Sequence, residues 1–82
     1  MKVYLRKSAS GHPMSLTLEV LEPNLDGLSY QLVDANGYYV IDEKIERQVH
    51  DISFSFLKPS TYFLLVKSNK IETLKTFKIS KV

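Results

Sequence analysis

Apolar residues recur at every second position through most of this chain, and that spacing limits the fold more than any other feature. Leu16, Leu18 and Val20 alternate with Ser15, Thr17 and Glu19. Leu28, Tyr30 and Leu32 alternate with Ser29 and Gln31, and Ile52, Phe54 and Phe56 with Ser53 and Ser55. Successive side chains of a strand point to opposite sides of its sheet, so a period of two marks strands with one buried face. No stretch of ten or more residues follows the 3.6-residue period of a helix; Glu43–Val49 comes nearest and is too short.

Turn signals separate these runs at intervals of about 8–12 residues, the spacing of a small all-β sandwich or barrel. They are Gly11-His12-Pro13, the segment Glu22 to Gly27, Asp34-Ala35-Asn36-Gly37, Lys58-Pro59-Ser60 and Ser68-Asn69-Lys70. The Asn36-Gly37 pair suits the positive φ angles of a tight hairpin turn. Strands are therefore expected at about 2–6, 15–21, 28–34, 38–46, 50–56, 61–68 and 73–81. Tyr62 to Val66 is apolar at every position, as in a central strand covered on both faces or one whose second face meets a partner. Phe54, Phe56 and Tyr62 are assigned to core faces.

With 82 residues the chain has room for one domain and one modest core. Cysteine is absent, which excludes disulfides and thiolate metal sites. The longest apolar run is too short for a membrane span, and Arg6 and Lys7 interrupt the basic start before a signal-peptide core develops. Charge is distributed unevenly. Residues 1–66 carry six basic and eight acidic side chains, a net of −2, whereas residues 67–82 carry five lysines against Glu72, a net of +4. The basic charge thus sits on the tail.

Three late segments, taken together, resemble a known family. They are "LSYQLVDANGYYV" (Leu28–Val40), "ISFSFLKPSTYFLLV" (Ile52–Val66) and "KTFKISKV" (Lys75–Val82). In this order they strongly resemble the type A C-terminal sorting domain of the type IX secretion system of Bacteroidota. Tyr30, Leu32, Asp34 and Gly37 fall on that family's first motif. Leu57, Pro59, Tyr62, Leu64 and Val66 fall on its second, and Lys75, Phe77, Lys78, Ile79 and Lys81 on its third. Ser60 stands where many members have glycine, and Val3-Tyr4 is followed by Leu5-Arg6-Lys7 rather than a Tyr-Pro-Asn-Pro opening.

The resemblance implies an immunoglobulin-like sandwich of about seven antiparallel strands, attached to the end of a larger exported cargo protein. It implies recognition by the translocon and shuttle proteins at the outer membrane, then removal by a sortase-like peptidase at the cell surface. Residues 1–82 would be that single sorting domain, excised from its cargo. On this reading the chain is not an enzyme and takes no cofactor or metal.

The residues themselves suggest how such a label would be read. Lys75, Phe77, Lys78, Ile79, Lys81 and Val82 form a terminal strand able to dock a partner by strand addition or by charge. Lysines on an edge strand also serve simply to discourage aggregation. Tyr30, Asp34, Gly37, Pro59 and Tyr62 read as structural, with Asp34 accepting turn amides and the Tyr62 hydroxyl reaching a backbone carbonyl. His12 and His50 lack the spaced carboxylate partners of a metal site, and no nucleophile elbow or glycine-rich phosphate loop is present. Nucleic-acid binding is disfavoured because residues 1–66 are acidic overall. The alternative is a stand-alone β-sandwich binding or adhesin-like module, with Tyr38 and Tyr39 as its exposed aromatics.

Overall fold

A computed structural model describes residues 2–8, 11 and 14–82. The described residues contain seven strands, all paired antiparallel, in one three-stranded and one four-stranded sheet. This is the all-β class expected, with seven antiparallel strands. The chain divides into two compact units, one for each sheet.

The first unit holds β1 (Lys2–Lys7), β2 (Ser15–Leu21) and β5 (Val49–Ser53), in the order β1-β2-β5. Val3 is opposite Val20, and Leu16 is opposite Ile52, so apolar residues share one face. Leu18 and Val20 are almost wholly buried, with Val3, Ile52, Phe54 and Leu57 nearly so. On the other face Arg6 reaches Glu19 at 3.2 Å and lies 5.1 Å from the Tyr4 ring centroid. Thr17 and Ser8 both donate to the Asp51 carboxylate.

One expectation fails in this unit. The alternation through Ile52, Phe54 and Phe56 predicts a strand to residue 56, but β5 ends at Ser53. The Phe54 amide donates to Met14 O at 2.7 Å, and the Leu57 amide closes a turn on Phe54 O at 3.1 Å. That turn shifts the period, so Leu57 takes the buried position and Phe56 is 63% exposed. Phe56 is therefore not a core residue.

The second unit holds β3 (Leu28–Asp34), β4 (Tyr39–Lys44), β6 (Ser60–Ser68) and β7 (Glu72–Lys81), in the order β4-β3-β6-β7. Its buried face is built from Tyr30, Leu32, Tyr62, Leu64 and Val66, the last three on β6. Full burial of each such side chain is worth roughly 1.5–3 kcal/mol. β6 is central, as its apolar run predicts, but only one of its faces is sealed. Phe63 remains 36% exposed on the other.

The β3–β4 hairpin is built differently from a two-residue Asn-Gly turn. Gly37 has φ +88°, whereas Asn36 is not among the positive-φ residues. The Gly37 amide donates to Asp34 O at 3.0 Å, and the Asp34 amide to Tyr38 O at 2.9 Å. This is a three-residue loop with glycine at the left-handed position. Asp34 Oδ1 accepts the Asn36 and Tyr38 amides, each at 2.9 Å, which is the structural role its position suggests.

Tyr62 is a second fixed point. Its ring is buried, and its hydroxyl donates to Lys58 O at 2.7 Å, tying the Pro59 corner to the start of β6. A tyrosine that bonds back to the chain just before its strand is the corner device of immunoglobulin-type sandwiches.

Tyr30 gives the unit an alkaline sensitivity. Burial pushes its phenol above the ordinary value of 10.0, and the carboxylate of Glu43, its cross-strand neighbour, adds to the rise. The folded state thus holds this proton more tightly than the unfolded state. Stability from this source is intact below about pH 10, the unfolded value, and is lost as pH rises toward the folded one. Urea unfolding at about pH 9 and about pH 11 is expected to show a drop for the native chain that Tyr30→Phe reduces. Equal drops in both proteins would contradict this assignment.

Candidate docking edge

The last strand owes its position to the turn before it. Asn69 and Lys70 have φ angles of 51° and 58°, and the Ile71 amide donates to Ser68 O at 3.0 Å. This two-residue left-handed turn matches the twist of paired strands and returns the chain directly alongside β6. The Asn69 amide donates to Gly27 O at 2.7 Å, anchoring the turn to the start of β3. Gly27 itself has φ +76°, and a Cβ there would come within 2.5 Å of Asn69 Oδ1.

From the turn β7 runs ten residues to Lys81 and, among the described residues, has a single hydrogen-bonded neighbour, β6. A strand in that position leaves alternate N–H and C=O groups directed away from its sheet, a template for another strand. The register sorts its side chains. Lys75, Phe77 and Ile79 are opposite Val66, Leu64 and Tyr62, on the apolar face of the sheet. Lys78 is opposite Phe63, on the other face, and Lys81 is opposite Ser60. The three lysines therefore do not form one row of charge. What they share is the backbone edge.

Phe77 and Ile79 are half-buried and hold the strand down, while Lys75 and Lys78 are exposed. Lys75 Nζ lies 5.7 Å from the Phe77 ring centroid. Val82 is fully exposed beyond the strand end. A bulge falls at Leu74, between the Val66–Lys75 and Lys67–Thr73 pairs. It divides β7 into an acidic start at Glu72 and a basic remainder.

No family model, curated protein or solved structure matches this chain.

Among the other residues singled out from sequence, Tyr38 and Tyr39 are 70% and 56% exposed at the opposite edge of the same sheet. Lys67 Nζ donates to the Tyr39 hydroxyl at 3.1 Å, a contact that spans 28 positions and leaves no trace in the sequence. Beside it Gln31 is buried, with Nε2 donating to Ser29 Oγ at 2.9 Å and to Asp42 Oδ1 at 3.0 Å. Its Oε1 has no hydrogen-bond partner among the described residues. Lys70 reaches Asp42 at 3.7 Å. His50 is half-buried in β5, and His12 lies outside the described residues. Among the described residues no three His, Asp or Glu side chains gather as metal ligands, and no helix is long and apolar enough to cross a membrane.

Proposed function

We propose that this domain is a recognition module that binds a partner protein through the open edge of β7. The observation that carries this reading is the coincidence of three features in one strand. Among the described residues β7 has one paired neighbour, it carries Lys75, Lys78 and Lys81 against Glu72, and its Phe77 and Ile79 are half-buried. An ordered edge can bind by strand addition, in which main-chain hydrogen bonds supply affinity and side chains supply selectivity. The lysines favour an acidic partner strand and hasten its encounter.

The resemblance of Leu28–Val40, Ile52–Val66 and Lys75–Val82 to type IX sorting domains gives the module a specific assignment. On that assignment it is a C-terminal sorting signal, docking to the translocon and shuttle proteins and then cut away by a sortase-like peptidase. Localisation at the outer membrane and cell surface belongs to the same proposal, as does the absence of catalysis.

A broader reading, a stand-alone β-sandwich binding or adhesin-like module, is favoured by the exposed Tyr38–Tyr39 pair and the Lys67–Tyr39 contact. The two readings separate in one assay. The domain is fused behind an exported reporter in a bacterium with a type IX system, with and without Lys78–Val82. The sorting assignment expects surface delivery from the intact fusion and its loss on deletion. Undiminished delivery after deletion would remove β7 from the docking role. Failure of the intact fusion to reach the surface would leave the adhesin-like reading in place of the sorting one.

A further inference from the structure

The two edges of the four-stranded sheet are complementary to each other. β4 carries Asp42 and Glu43 against Lys44, whereas β7 carries Lys75, Lys78 and Lys81 against Glu72. Each has one hydrogen-bonded neighbour within the sheet. Because the sheet has four strands in strict antiparallel alternation, its two edge strands run in opposite directions. A second copy placed alongside by translation would therefore set its β4 antiparallel to β7 of the first, with the alternation unbroken.

We infer that the domain self-associates head to tail, the β7 edge of one copy pairing with the β4 edge of the next. Register follows from the faces. Ile41 and Glu43 share the face of Leu32 and Tyr30, and Phe77 and Lys75 share that of Leu64 and Val66. Setting Ile41 against Phe77 sets Glu43 against Lys75, so an apolar pair and an ion pair form side by side on the same face. It also brings the Glu72 end of β7 to the Lys44 end of β4. A slip of one residue turns every side chain to the wrong face. A slip of two leaves Glu43 against Phe77. The bulges at Val40 and Leu74 bound the matched segment on either side.

Like-edge pairing is disfavoured by the same charges. Two β7 strands would bring lysines together, and two β4 strands would bring Asp42 and Glu43 together, which destabilises cross-strand pairs. The lysines of β7 thus guard against a second β7 but not against β4. A heterologous contact of this kind does not close on itself and builds open chains.

The experiment is sedimentation of the 82-residue chain over a concentration series at low and at physiological salt. Self-association is expected as a mass that climbs above 9.4 kDa without a plateau at the dimer, and more steeply at low salt. Glu43→Lys alone and Lys75→Glu alone are each expected to weaken association about tenfold, and the two together to restore it. Both positions are exposed, and far-UV circular dichroism confirms that each variant is folded. A constant monomer mass, a closed dimer, single variants that associate like the native chain, or a double variant that stays monomeric would each overturn the inference. Glu43 lies outside the β7 docking strand, so reporter delivery by Glu43→Lys separates this claim from the sorting proposal.

Discussion

Leu64→Ala is expected to cost about 3 kcal/mol, more than any surface change in this protein. Leu64 is fully buried at the middle of β6, between Leu32 of β3 and Phe77 of β7. Truncation removes the transfer free energy of its lost carbons and leaves a cavity that a hydrogen-bonded central strand cannot collapse to fill. A domain of 82 residues has only about 4–12 kcal/mol of total stability, so the loss is a large share of it. Urea unfolding followed by far-UV circular dichroism will show a much lower midpoint at unchanged slope. A midpoint within experimental error of the native one would mean that β6 is not the centre of its sheet.

The second large effect is placed at Gly27, far from any docking residue in sequence. With φ +76° it sits where an L side chain is strained by roughly 1–2 kcal/mol. Gly27→Ala adds the collision with Asn69 Oδ1 to that strain, in the loop whose carbonyl accepts the Asn69 amide. Gly37→Ala is the control, since its φ is +88° but nothing lies within 4 Å of the added Cβ. Gly27→Ala is therefore expected to lower the melting temperature further than Gly37→Ala, by about 10 °C against about 6 °C. Adding Asn69→Gly should recover the difference between them but not the shared strain. Equal losses at the two glycines would show that the collision is absorbed by rotation of the Asn69 side chain.

These two predictions also mark what the sequence discloses. Alternation at Leu28, Tyr30 and Leu32, and at Tyr62, Leu64 and Val66, names the buried face of each strand because a pleated chain can bury every second side chain on one side. Periodicity says nothing about which strand lies beside which. The orders β1-β2-β5 and β4-β3-β6-β7 depend on contacts between residues far apart in the chain, and so does the position of β7 at an edge. Phe56 shows the other limit. Its spacing from Phe54 fits a strand, yet two backbone bonds at Phe54 and Leu57 turn the chain first. In the hairpin, Asp34 and Gly37 were legible because their chemistry is local, while the three-residue loop length was not. The charge on Lys75, Lys78 and Lys81 is plain in the sequence, but its division between two faces becomes meaningful only once the β6 register is known.

The docking proposal requires that β7 be ordered and unsealed, and amide hydrogen exchange read residue by residue measures both. β6 amides from Tyr62 to Val66 should be protected throughout, since β6 has neighbours on both sides. In β7, from Lys75 to Ile79, protected and fast-exchanging amides should alternate, the fast ones being those directed away from β6. Protection at every β7 amide in the monomer would mean that the edge is closed, and rapid exchange at all of them would mean that no ordered strand is there to be gripped.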